Sequence, residues 1–185
     1  MRLQTIGAGF VTLALAVGIT HAADALAPEV QAKVDAKLKD IQAWAANATI
    51  VKAVTAQNSA PPAESAAMNQ DKWKSLTILD PFVRSFSKNP AGEFLKSKMD
   101  ESVSEAFLSG ADGTKVAFLA KTSSWSHKGK AKHDEPMAGK TWQGPIEVDE
   151  STGLQQIQVA VPVLDSGKPI GSLVIGLSLA KLNKS

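Results

Sequence analysis

With 185 residues, 44% hydrophobic and 21% charged, the chain has the composition of one ordinary globular domain rather than a disordered or membrane-embedded protein. The 20 basic against 18 acidic residues leave a formal charge of +2, which gives no bulk electrostatic reason to expect nucleic acid. The absence of cysteine excludes disulfides, thiolate-ligated zinc, iron–sulfur clusters and covalently attached haem.

Met1-Arg2 is a short positive start, Ile6 to Ile19 is apolar and small, and Thr20-His21-Ala22 closes the run with small residues where a signal peptidase reads. The run is too short to span a bilayer, which takes ~20 apolar residues. Residues 1–22 are therefore expected to be a cleaved signal, with the mature chain starting near Ala23.

Pro28 suits the first turn of a helix. Val30, Val34, Leu38, Ile41, Trp44, Ala45 and Ala48 then recur at three- and four-residue steps, which predicts a long amphipathic helix. Asn47-Ala48-Thr49 interrupts it, and Asn58-Ser59-Ala60-Pro61-Pro62 ends its continuation through Ile50, Val51 and Val54. Ala63 to Leu79 predicts a second helix carrying Met68, Trp73, Leu76 and Leu79, stopped before Asp80-Pro81. Phe82, Val83 and Phe86 read as a short apolar turn. Asn89 as cap and Pro90 at the first position open a third helix, with Phe94, Leu95, Met99 and Val103 on its buried face.

The period then changes from 3.6 to 2. Residues 108–116 read as strand, tight turn and strand, and Val116, Phe118 and Ala120 alternate with Lys115, Ala117 and Leu119. After the basic segment 121–142, three further strands are expected between Ile146 and Leu179, with turns at 149–153 and at Asp165-Ser166-Gly167. Ile157, Val159, Val161 and Val163 alternate with Gln156, Gln158 and Ala160 as in a half-buried strand. Residues 170–177 are more continuously apolar, which suits a central strand covered on both faces. Gly171 and Gly176 suggest close approach, and Pro162 an end, a bulge or a non-bonding position. Helices followed by an antiparallel meander make the class α+β, with 23–107 as the helical part and 108–185 as the sheet part of a single domain.

The chemistry-bearing residues concentrate in 121–142. Ser123, Ser124 and Ser126 lie near His127 but lack a strand-to-helix elbow, so no hydrolase is read here. His127, His133, Asp134 and Glu135 are not at a helix-face spacing and have no third imidazole beside them, so neither a metal centre nor any cofactor is expected. The segment's net charge of +3 and its two tryptophans fit an anion or carboxylate pocket with aromatic walls. A solvated basic loop is the competing reading.

Asp112-Gly113-Thr114-Lys115-Val116-Ala117, Lys121-Thr122-Ser123-Ser124-Trp125 and the run from Trp142 to Gly153 resemble the core of periplasmic single-Cache domains (PAS-like, PDC-type sensors). Residues 156–165 and 167–176 resemble that family's last two strands. The resemblance implies a PAS/Cache-like antiparallel sheet of about five strands, a long N-terminal helix with shorter helices packed on it, and small-molecule sensing in the periplasm. It places a pocket between the sheet and the 121–142 insertion, with Asp149 and Ser151 at its edge. Where many relatives have Ser-Asp-Tyr followed by an acidic run, this chain has Ser123-Ser124-Trp125 and a run rich in lysine and histidine, so the family's ligand does not carry over.

The expected function is thus a soluble periplasmic binding module, not an enzyme, for a small and anionic metabolite. Trp125 and Trp142 are the expected walls, Lys121 and Lys128 the charge, and Asp149 and Ser151 the polar edge. With no transmembrane or output module read in the chain, a membrane receptor or sensor kinase is the expected partner, with a homodimer through the first helix as a further expectation. The alternative is a structural or interaction protein with a filled core and no ligand.

Overall fold

The change of sequence period is realised as a run of helices followed by a meander. The computed structural model describes residues 26–148, 155–182 and 184. The signal-peptide reading, the expected turn at 149–153, Asp149 and Ser151 lie outside the described residues.

Helix α1 (Pro28–Ala45) and helix α2 (Ala48–Ser59) form the long N-terminal element. The break falls where expected, because the Asn47 side chain accepts the Thr49 N–H at 2.9 Å and restarts the helix. Four short helices follow, α3 (Ala63–Ala66), α4 (Gln70–Ser75), α5 (Pro81–Lys88) and α6 (Pro90–Ser97). The sheet comprises β1 (Val103–Gly110), β2 (Lys115–Phe118), β3 (Trp142–Val148), β4 (Gln155–Asp165) and β5 (Lys168–Ser178), antiparallel throughout in the order β2-β1-β5-β4-β3. Helix α7 (Ala131–Met137) lies in the insertion between β2 and β3, and α8 (Leu179–Leu182) follows β5.

The α+β class, the five-stranded sheet and the long N-terminal helix agree with the expectation. So does the central place of β5. A Cβ on Gly171 would lie 2.3 Å from the Ser109 carbonyl oxygen and 2.8 Å from Val54 Cγ1, so only glycine lets β5 pass this close to β1 and α2. Pro162 pairs with Ser172 on β5, while β3 reaches β4 only as far as Ala160, so its missing N–H deprives no β3 partner. The β4–β5 hairpin turns on Ser166 and Gly167, both at positive φ (49° and 78°), the geometry of a two-residue type I′ turn.

Four local readings are corrected. The helix expected over 63–79 is two short ones, because the Asn69 side chain accepts the Lys72 N–H at 2.9 Å and starts α4 afresh. The apolar turn at 82–86 is helix α5, capped by Asp80, whose carboxylate accepts the Phe82 N–H; Asp80-Pro81 is a start as well as a stop. Helix α6 opens at Asn89-Pro90 as expected but ends at Ser97, leaving Met99 exposed and placing Val103 in β1. Strand β4 is buried on both faces over Gln156–Val161, not on one, because α7 covers its glutamine side.

The sheet therefore has two covered faces. On one, Val34, Ile41, Ile50, Val54 and Leu95 of the helices pack on Leu108, Val159, Val161, Leu173, Ile175 and Leu177. On the other, Trp73, Phe82 and Phe86 join Phe107, Phe118, Trp125, Ala160 and Val174. That second face carries the site.

Candidate functional site

The residues of β1, β5 and β4 that point away from α1 and α2 are unusually polar for a buried surface. Ser109 and Ser172 are fully buried, Gln156 and Gln158 are nearly so, and Lys115 at the start of β2 has no exposed surface. Buried lysine is rare because an ammonium leaves water at a large free-energy cost. Above this floor the insertion lays down His127 and the α7 residues Lys132 and His133, and both imidazoles are buried.

The groups are tied together. Lys115 Nζ hydrogen-bonds to His127 Nδ1 and lies 4.7 Å from the centre of the Phe107 ring. His127 stacks on Phe107, with ring centres 4.6 Å apart and planes 17° from parallel. An ammonium can only donate, so His127 accepts at Nδ1 and carries its proton on Nε2. Lys132 Nζ donates to Gln158 Oε1 at 2.7 Å, and Gln158 Nε2 donates to Glu105 Oε2 at 2.7 Å. His133 Nε2 faces the Ala111 carbonyl at 3.4 Å, so its Nδ1 accepts from the Ser172 hydroxyl at 2.7 Å. Buried Lys115, His127 and His133 thus share one layer with half-buried Lys132 and Glu105.

Burial dominates the protonation of Lys115, His127 and His133. It lowers Lys115 from 10.5 to about 7; Glu105 opposes the shift and Lys132 adds to it. Burial also lowers His127, to about 3, with Lys115, Lys132, His133 and Lys130 pushing the same way. His133 is lowered by burial, against the pull of the Ala111 carbonyl and of Asp134 and Asp112. Both imidazoles are therefore neutral at pH 7, and Lys115 is poised between its two forms.

An aromatic block adjoins this layer. Trp73 of α4 sits edge-on to Phe82, Phe86 and Phe118, with ring centres 6.0–6.5 Å apart, and 5.2 Å from Trp125. Its Nε1 donates to the Thr122 carbonyl at 2.8 Å. Gln70, one turn earlier, accepts the Trp125 N–H at 2.9 Å and donates to the Ser123 carbonyl at 2.9 Å. Helix α4 thereby pins residues 122–125 to the sheet.

The residues expected from the sequence fall in different places. Trp125 is inside the aromatic block, and half-buried Trp142 packs against it with its ring folded over Gly144. Lys121 is half-buried, its Nζ 4.7 Å from the Trp73 ring centre. Lys128 is exposed. Lys115, Lys132 and Gln158, together with His127 and His133 in a role other than metal binding, were not expected in the site. The available signal was Lys115 at a strand position next to the Asp112-Gly113 turn, directly opposite Ser109. Among the described residues no three His, Cys, Asp or Glu side chains gather as metal ligands, and no helix is long and apolar enough to cross a membrane.

No family model and no curated protein matches the chain. Solved structures similar to it include the Vibrio cholerae histidine kinase DctB sensor domain (13% identity, TM-score 0.49, 84% of this chain). The ligand-binding domain of the Pseudomonas aeruginosa amino acid chemoreceptor PctC, solved with GABA, is similar at 15% identity and TM-score 0.46 over 84% of this chain. The Escherichia coli DcuS sensor domain follows at 12% identity and TM-score 0.46, again over 84% of this chain. The chain spans 54% of the DctB domain, 57% of the PctC domain and 96% of the DcuS domain. All three are sensor or ligand-binding domains of those proteins.

Proposed function

We propose that the protein is a Cache-like sensor module that binds a small, anionic metabolite between its sheet and the insertion, outside the cytoplasm, and signals through a separate membrane receptor or sensor kinase. The observation that carries this reading is the polar, lysine-bearing sheet face buried beneath the insertion between β2 and β3. A protein selected only for stability would fill that layer with apolar side chains, since replacing buried charge by hydrophobic residues commonly stabilises. Trp125 and Trp142 contribute the aromatic side of the site, Lys121 and Lys128 the charge along the insertion, and Asp149 and Ser151 its polar edge. Within this reading residues 1–22 are a cleaved signal, residues 23–185 are a single domain, and there is no catalytic role.

A filled core without a ligand is the second reading, favoured by the pairing of His127 with Lys115 and of His133 with Ser172. Native mass spectrometry of freshly purified mature protein, followed by a thermal-shift screen of amino acids and organic acids, separates the two. Ligand that binds only the folded state raises the melting temperature by a term in RT ln(1 + [L]/Kd). One responding class supports the sensor. Silence across the screen, with no co-purified molecule, supports the filled core.

A further inference from the structure

The layer contains one group whose hydrogen bonding is incomplete where the charge is greatest. Ser109 has no exposed surface, and its Oγ has no hydrogen-bond partner. It stands opposite Lys115 on one side and Ser172 on the other, and directly paired residues of antiparallel strands point to the same face. An orphaned hydroxyl thus lies between a buried amine and the serine that holds His133. The other buried hydroxyl without a partner among the described residues, Ser178 Oγ, is at the opposite end of β5 beside Gln156.

We propose that Ser109, Lys115 and Lys132 form a proton-coupled acid site, in which the anionic group of the ligand accepts from Ser109 Oγ and Lys115 Nζ, and Lys115 takes up a proton as the anion enters. The inference rests on the sensor reading and adds to it what is read: an acid together with its proton, so that occupancy reports acidity as well as concentration.

The surroundings of Lys115 support the coupling from every side. Glu105 on β1 draws its proton in, while Lys132 on α7 repels it. His127 is neutral and offers only its Nδ1 lone pair, and His133 is held by Ser172 and Ala111. Lys130 and the carboxylates of Asp112 and Asp134 act on the imidazoles rather than on Lys115 directly. A bound anion adds the one missing contribution, a second negative charge against Lys115. Opposite charge within a few ångströms favours the ammonium. Entry requires His127 and its segment to move, since Lys115 is fully covered and His127 lies against it.

The test follows Lys115 Cε by NMR across pH in the full mature protein, alone and with saturating acetate, succinate or inorganic phosphate as probes. The expected result is that at least one acid moves the Lys115 titration to higher pH. Its affinity then falls about tenfold per pH unit once the unliganded amine has lost its proton. Ser109→Ala weakens binding of the same acid, and Lys115→Met abolishes it. If none of the three acids moves the Lys115 titration, the proposal is overturned, even if a neutral metabolite binds elsewhere and the sensor reading stands. Unchanged acid affinity in Ser109→Ala overturns the Ser109 contact even if Lys115→Met does not fold.

Discussion

Both faces of the sheet are buried, and they are built oppositely. The face under α1 and α2 is aliphatic, with Leu173, Ile175, Val159 and Val161 fully buried. The face under the insertion between β2 and β3 holds Lys115, Ser109, Ser172, Gln156 and Gln158 beside an aromatic block. Burial on the first contributes the hydrophobic free energy of folding, roughly 25 cal/mol per Å² of apolar surface. On the second, much of what is buried is polar and only offsets its own desolvation through hydrogen bonds. The contrast assigns hydrophobic stabilisation to one face and leaves the other as the floor of the proposed site.

The largest expected effect lies on the aliphatic face. Leu173→Ala removes a fully buried side chain at the centre of the sheet and should cost about 2–5 kcal/mol, read as a lower denaturant midpoint with unchanged slope. If the substitution costs less than 1 kcal/mol, that face is not the seat of stability.

The opposite sign is expected on the polar face. Lys115→Met should stabilise the unliganded protein by about 1–4 kcal/mol near and below neutral pH, because the cost of burying a charge exceeds the one hydrogen bond to His127 that is lost. A loss of stability would show that the layer is a satisfied structural network and would favour the filled core.

The pH profile tests the same contrast. An unfolded Lys115 holds its proton up to 10.5 and the folded one only to about 7. Between these values the unfolded state binds more protons, so stability rises with pH, by at most ~1.4 kcal/mol per unit. His127 does the same lower down, between about 3 and 6.5, so acid destabilises the protein there. In Lys115→Met the upper rise should vanish. The lower one should narrow from its acid end and shrink, because Lys115 is one of the charges holding His127 down while the unfolded value stays at 6.5. Denaturation midpoints measured across pH check both.

Much of this fold was legible in the sequence because the helix starts and hairpin turns carry local chemistry. Asn47, Asn89-Pro90 and Ser166-Gly167 each act through residues adjacent in the chain. The site was less legible. The alternation of Val159 and Val161 with Gln158 and Gln156 reports which residues share a face, but water and a covering helix produce the same pattern. The alternation around Lys115 likewise leaves open whether its face is wet or covered. Lys121 and Lys128 were conspicuous in a basic run, yet they are half-buried and exposed, while the fully buried lysine is on β2. Composition locates charge along the chain; only the covering by the insertion, with His127 against Lys115, decides which charge is dry.

The smallest expected effect separates two serines that the sequence makes equivalent. Ser172 and Ser109 face each other across β1 and β5, and both are fully buried. Ser172 donates to His133 Nδ1, so Ser172→Ala strands a buried acceptor and should cost about 1–3 kcal/mol. Ser109 Oγ has no partner, so Ser109→Ala removes an unpaid desolvation and should leave the unliganded protein as stable as before or up to about 1 kcal/mol more so. Equal losses in the two variants would mean that the Ser109 hydroxyl is already satisfied when the site is empty, and then it offers nothing to a ligand. Unequal effects, with Ser109→Ala neutral, are what a hydroxyl reserved for recognition requires.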